Sequence, residues 1–146
     1  MLAASEFRGR ILGMEPAERH IDPSEAQIKA LVDAADDPSP IVMVNLLAFN
    51  DEGGRDSYLR YAEAVQPHLD RVGATVLYAG DARQTVIGDA DEPWWDQILL
   101  VQYPSRAKFM EMVADDGYRS IAHHRTAALE TSALIATQPW VWRHES

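Results

Sequence analysis

Residues Ile41 to Ala48 read Ile-Val-Met-Val-Asn-Leu-Leu-Ala, with Pro38 and Pro40 before them and Asn50-Asp51-Glu52-Gly53-Gly54 after. A short run, β-branched at its start and bounded by turn residues, predicts a strand. Alternation places Ile41, Met43 and Leu47 on one side and Val42, Val44 and Leu46 on the other, so both faces are apolar. A strand of that kind is covered on both sides. Asn45 alone interrupts it.

The remaining pattern supplies the layers around this strand. Asp22-Pro23-Ser24-Glu25 predicts a helix start with Asp22 as N-cap, and Ala26, Ile28, Leu31 and Val32 give it a short apolar face. Asp56 opens a second helix, where Tyr58, Tyr61, Ala62, Val65, Leu69 and Val72 recur at helical spacing; Pro67 predicts a kink and Gly73 a stop. Thr75–Tyr78 and Gln84–Ile87 read as two arms of one strand bent at Gly80-Asp81, in a hairpin with Trp94–Tyr103. Pro104-Ser105 starts a helix to about Val113, Asp115-Asp116-Gly117 breaks it, and a second piece runs from Tyr118 to about Glu130. Ala133–Thr137 is the last strand, before a Trp140-Val141-Trp142 tail.

The order β-α-β-β-α-β is the ferredoxin-like split βαβ unit. The expected fold is α+β: a four-stranded antiparallel sheet with both crossover helices on one face, preceded by an N-terminal helix. Residues 1–21 are expected to form an arm and residues 22–146 a single domain. The sheet face away from the helices is apolar and asks for a partner. A second copy of the same face, giving a homodimer, is the expected one. The alternative is that the arm and the Trp-rich tail fold over that face.

Composition excludes several functions. Thirteen basic against 23 acidic residues give a net charge of −10, which repels phosphate backbones and anionic lipid, so neither nucleic acid nor membrane is an expected partner. The chain has no cysteine, which removes disulfides, iron–sulfur clusters and thiol catalysis and suits a cytoplasmic location. No apolar run approaches the ~20 residues of a membrane span, and no secretory leader is visible. Phosphate-loop, GxGxxG, HExxH and GxSxG motifs are absent from the sequence.

Several segments together resemble the DUF1330 family: Asp22-Pro23; Pro40 to Phe49; Tyr58-Leu59-Arg60-Tyr61; Gly73-Ala74; Trp95 to Val101; Tyr103 to Phe109; Tyr118; His124-Arg125; and Leu134 to Thr137. The resemblance covers roughly residues 20–138. It implies a dimeric α+β barrel with a pocket between sheet and helices in each subunit. Relatives in that superfamily include cofactor-free monooxygenases, muconolactone isomerase-like proteins and haem-binding chlorite dismutases. The resemblance therefore implies a pocket and its location, and no particular reaction.

Arg125 lies within the apolar stripe Tyr118, Ile121, Ala122, Ala128 and Leu129 of its expected helix. Either it clamps an anion, a carboxylate or an enolate, or it forms an internal salt bridge with Asp96 or Glu63. Asn45 either orients a substrate carbonyl or bonds a neighbouring backbone group. His124, at the stripe's edge, is a candidate acid or base, while His123 points away; about 100° apart on one helix, the two cannot chelate one metal. Tyr61, Trp95, Asp96 and Tyr118 are expected to line the pocket. The expected function is a cofactor-free, metal-free small-molecule enzyme or binding protein acting on an apolar, oxygenated ligand, with Arg125, His124 and Asn45 in catalytic positions and a monooxygenase- or isomerase-like reaction. Two other readings stand: a non-catalytic dimeric module that binds a metabolite or a protein, and haem held by His124.

Overall fold

The computed structural model describes residues 20–89 and 95–140. Its elements are α1 (Glu25–Asp33), β1 (Ile41–Phe49), α2 (Gly54–Val72), β2 (Thr75–Asp81), β3 (Gln97–Tyr103), α3 (Arg106–Ala114), α4 (Asp116–Ile121), α5 (His123–Ala128) and β4 (Leu129–Thr137). The sheet runs β2-β3-β1-β4 with every neighbouring pair antiparallel. This is the ferredoxin-like arrangement expected from the element order, with the two-sided strand β1 in an interior position.

The two faces of β1 separate cleanly. Ile41, Met43, Leu47 and Phe49 join Tyr58, Tyr61, Val65 and Leu69 of α2 in the core, together with Val101 and Tyr103 of β3. Opposite the core lie Val44 and Leu46, flanked in register by Leu100 and Ile98 of β3 and by Ile135 and Ala133 of β4. Tyr78 of β2, paired with Leu100, extends that outer face. Tyr78 and Ile135 remain about half exposed, at 55% and 48%. Whether the termini fold over this face concerns residues 1–19 and 141–146, outside the described residues.

Local chemistry shifts several expected boundaries. The cap of α1 is Ser24: its Oγ accepts the Gln27 N–H, and the Gln27 side chain accepts the Ser24 N–H. This reciprocal pair satisfies two free donors at once, which Asp22 two residues earlier does not do. Gly53 rather than Asp56 caps α2, and α2 continues through Pro67 to a left-handed cap at Gly73 (φ 76°), the stop its sequence predicts.

β2 ends at Asp81, and Gln84–Ile87 form no strand. The ladder to β3 stops at the Asp81–Gln97 pair, continued only by the Ala82 N–H donating to the Asp96 carbonyl at 2.9 Å among the described residues, and Val86 and Ile87 stand in solvent. The irregularity of β2 falls between Val76 and Tyr78, not at Gly80-Asp81. Trp95 precedes β3 instead of lying within it, and Trp94 is outside the described residues.

The expected helix from Tyr118 to Glu130 is two short helices followed by β4, which begins four residues earlier than expected. The cause is Asn50. Its side-chain amide donates to the Ala127 carbonyl at 2.7 Å and its backbone N–H to the Ala128 carbonyl at 3.0 Å. With those carbonyls taken, the chain leaves the helix and pairs Leu129 with Phe49.

Candidate functional site

Helix α2 aims a ladder of aromatic residues at the sheet. Phe49 and Tyr58 rings lie 5.4 Å apart, as do Tyr58 and Tyr61, and Tyr61 meets Tyr118 of α4 edge-on at 6.3 Å. The Tyr61 and Tyr118 hydroxyls share a hydrogen bond of 3.0 Å. Tyr118 is placed by Asp115, whose carboxylate accepts the Tyr118 N–H at the start of α4.

Two more phenols are buried here. Tyr58 is 6% exposed and Tyr103 4%. Among the described residues neither hydroxyl has a hydrogen-bond partner, whereas more than nine in ten buried polar groups in native proteins do. Burial pushes the Tyr58 hydroxyl up to about 12, against the pull of the Arg125 charge. Burial and the neighbouring Tyr118 likewise raise Tyr61 and Tyr103, with Arg125 again opposing. All these phenols are therefore neutral donors near neutral pH, grouped within electrostatic reach of one guanidinium.

Arg125 is bonded by oxygens of the chain itself. Its Nη1 donates to the Ile21 carbonyl at 2.7 Å and its Nη2 lies 3.5 Å from Ser132 Oγ. Among the described residues no carboxylate forms an ion pair with it. The expected salt bridge to Asp96 or Glu63 is thus corrected. Asp96 spends its carboxylate on the Phe49 N–H at 2.8 Å and its own N–H on the Leu47 carbonyl, fastening the entry of β3 to β1. Among the described residues the charge on Arg125 meets neutral acceptors.

Asn45 is on the helix side of β1, opposite Leu99 and Leu134, two residues from Leu47, which pairs with Ser132. Among the described residues its amide makes one bond, to the Met43 carbonyl at 3.3 Å. Asn45 and Ser132 therefore share the floor over which Arg125 reaches. Leu134, beside Asn45, is 44% exposed, so this floor opens toward solvent along β4.

His124 is half-buried, and its carbonyl accepts the Ser57 hydroxyl at 2.9 Å, which fastens α5 to α2. Its ring packs on His123 with centroids 4.0 Å apart. Both residues belong to α5, where His123 is exposed and His124 half-buried. Trp95 is half-buried at the mouth of β3, next to Asp96. Tyr61 thus bonds Tyr118, Arg125 acts on Tyr61 and reaches Ser132, and Asn45 lies on the same face of the sheet as Ser132; His124 precedes Arg125 on α5, and Trp95 stands just ahead of β3.

Sequence reasoning missed Tyr103, Ser132 and the Ile21 carbonyl. Tyr103 is a phenol on an apolar strand, a signal that was available; Ser132 fell outside the strand as expected, and a main-chain acceptor leaves no trace in sequence. Among the described residues no group of three histidine or acidic side chains is arranged for a metal, and no helix is long and apolar enough to cross a membrane.

Sheet order and helix placement define a ferredoxin-like α+β protein with a polar nucleus between its layers. Residues 45–138 match the family described as Domain of unknown function (DUF1330), and the chain belongs to that family. It is 32% identical to the RPA0582 protein of unknown function from Rhodopseudomonas palustris, with a TM-score of 0.76 over 84% of this chain and 98% of that one. A candidate antibiotic biosynthesis monooxygenase from Bacteroides thetaiotaomicron VPI-5482 is similar at 15% identity, with a TM-score of 0.54 over 70% and 91% of the chains. A dimeric protein of unknown function and ferredoxin-like fold from Bacteroides fragilis NCTC 9343 is similar at 10% identity, with a TM-score of 0.49 over 68% and 95%. No curated protein matches this chain.

Proposed function

We propose that the layer between helices and sheet binds a small apolar molecule carrying an oxyanion or an acidic carbonyl, and that it does so without a cofactor. The carrying observation, made among the described residues, is a guanidinium without a carboxylate partner, set among buried phenols of which two have no hydrogen-bond partner there. Leaving such groups unmade costs about 1–3 kcal/mol each, and a ligand oxygen recovers it. Apolar walls with a few convergent polar groups are the usual build of a small-molecule site.

In this reading Arg125 holds the ligand's negative oxygen and Asn45 orients it from the floor. Tyr118 moves a proton at the ligand, with Tyr61 fixing its hydroxyl, and His124 serves as the base at the edge. Trp95 walls one end, with Asp96 holding that wall in place. Proton transfer next to a carbonyl is the reaction these groups support without any further component. A non-catalytic module would use the same pocket and differ only in lacking turnover.

Benzoate tests the reading, with benzamide as its uncharged counterpart. Calorimetry is expected to show benzoate binding at least tenfold tighter, and Arg125→Met abolishing the difference. Equal affinities for the two probes in the native chain would overturn the pocket.

The half-exposed apolar outer face of the sheet supports a second proposal: two copies pair through it as a homodimer. An acidic, cysteine-free chain fits a reducing cytoplasm as its place of work.

A further inference from the structure

We infer that Ile21 is a built-in stand-in for the ligand, and that the short strap His20–Ile21 must lift before the pocket fills; this rests on the pocket reading given above. The Ile21 carbonyl sits 2.7 Å from Arg125 Nη1, in the place an anionic oxygen would take. The Ile21 side chain is buried in the same core, only 4% exposed. One residue thus supplies both halves of the proposed ligand chemistry, an apolar body and an oxygen on the guanidinium.

A peptide carbonyl is the weaker of the two possible occupants. It offers a partial charge and a single atom to a fork of five N–H donors. A carboxylate offers two oxygens and cancels the charge, in the shorter and stronger charge-assisted bond. An anionic ligand of similar bulk therefore outcompetes the strap at Arg125 while refilling the space that Ile21 leaves.

The strap is held by its bonds rather than by backbone preference. Ser132 Oγ donates to the His20 carbonyl, a second tie beside that of Arg125. His20 has φ 63°, the only positive φ among the described non-glycine residues. Histidine adopts that region at a cost, and release of the two ties lets it return to ordinary backbone. Downstream, α1 buries no residue, so the chain after the strap can shift without opening the core.

Locking the strap tests this. The chain has no cysteine, so His20→Cys with Ser132→Cys introduces the only two thiols, at residues already in contact. Mass spectrometry follows formation of the bridge. Benzoate is expected to bind the oxidised form at least tenfold more weakly than the reduced form of the same variant. In the native chain, saturating benzoate is expected to speed hydrogen exchange in the peptide spanning residues 20–24 at least tenfold. Equal affinity of the two redox forms, or exchange that is unchanged or slowed, overturns the strap while Arg125-dependent binding stands. Loss of benzoate discrimination in the native chain overturns the pocket reading, and the strap with it.

Discussion

Tyr58 and Tyr61 are three residues apart on one helix and equally buried, yet their hydroxyls have opposite circumstances. Tyr61 shares a bond with Tyr118, and Tyr58 has none among the described residues. Tyr58→Phe is therefore expected to stabilise the unliganded protein by about 1 kcal/mol, a rise in Tm of roughly 3 °C by calorimetry. Tyr61→Phe is expected to lower Tm by a similar margin, because it strands the Tyr118 hydroxyl. Alkali tests the group as a whole. A phenol raised from 10.0 to about 12 by burial binds its proton more tightly folded than unfolded. Its contribution is complete below pH 10 and is lost as pH rises toward 12, so stability falls across that window. Absorbance at 295 nm is expected to show these tyrosines ionising together with unfolding, rather than as independent groups beforehand. Arg125 was legible in the sequence because a guanidinium within an apolar stripe needs acceptors. Its actual acceptors were not, since the Ile21 carbonyl belongs to backbone 104 residues away. The side that Asn45 faces became readable only once the strand register was known.

Helices and strands were legible where a periodic pattern met a strong terminator, as in α2 with Gly73 or α3 with its Ser105 cap. They were misread where a distant side chain decided the boundary. No breaker separates the expected Tyr118–Glu130 helix from the last strand; Asn50, more than 75 residues earlier in the chain, ends it by claiming two carbonyls. Asn50→Ala is accordingly expected to destabilise the protein by about 1–2 kcal/mol in urea unfolding. The junction of α2 and α5 carries a second prediction. A Cβ at Gly54 would fall onto the Ala128 carbonyl oxygen. Helix propensity alone favours alanine over glycine by about 1 kcal/mol. The collision reverses that sign, and Gly54→Ala is expected to cost about 1–3 kcal/mol by the same measurement.

For the molecule as a whole, one sheet separates two apolar environments. The helix-covered side holds the polar nucleus, and the outer side presents Val44, Leu100, Ile135 and Tyr78. Ile135→Arg is expected to leave the fold intact, because that side chain is 48% exposed within one copy. In sedimentation at micromolar concentration it is expected to turn a dimer into a monomer; a native chain that sediments as a monomer would contradict the pairing. The layer order and the unpartnered face followed from alternation in β1 and the βαββαβ order. The position of the strap did not, because main-chain contacts leave no periodicity to read.

The same alternation leaves β1 intolerant of any change in its length. A single residue inserted between Met43 and Asn45 would rotate everything downstream by half a turn. The amide would swing to the outer face of the sheet, and a leucine and a phenylalanine meant for the interior would exchange places with their neighbours. Substitution on this strand alters one compartment; insertion or deletion would scramble both at once, so divergent descendants of this chain should vary in spelling here long before they vary in count.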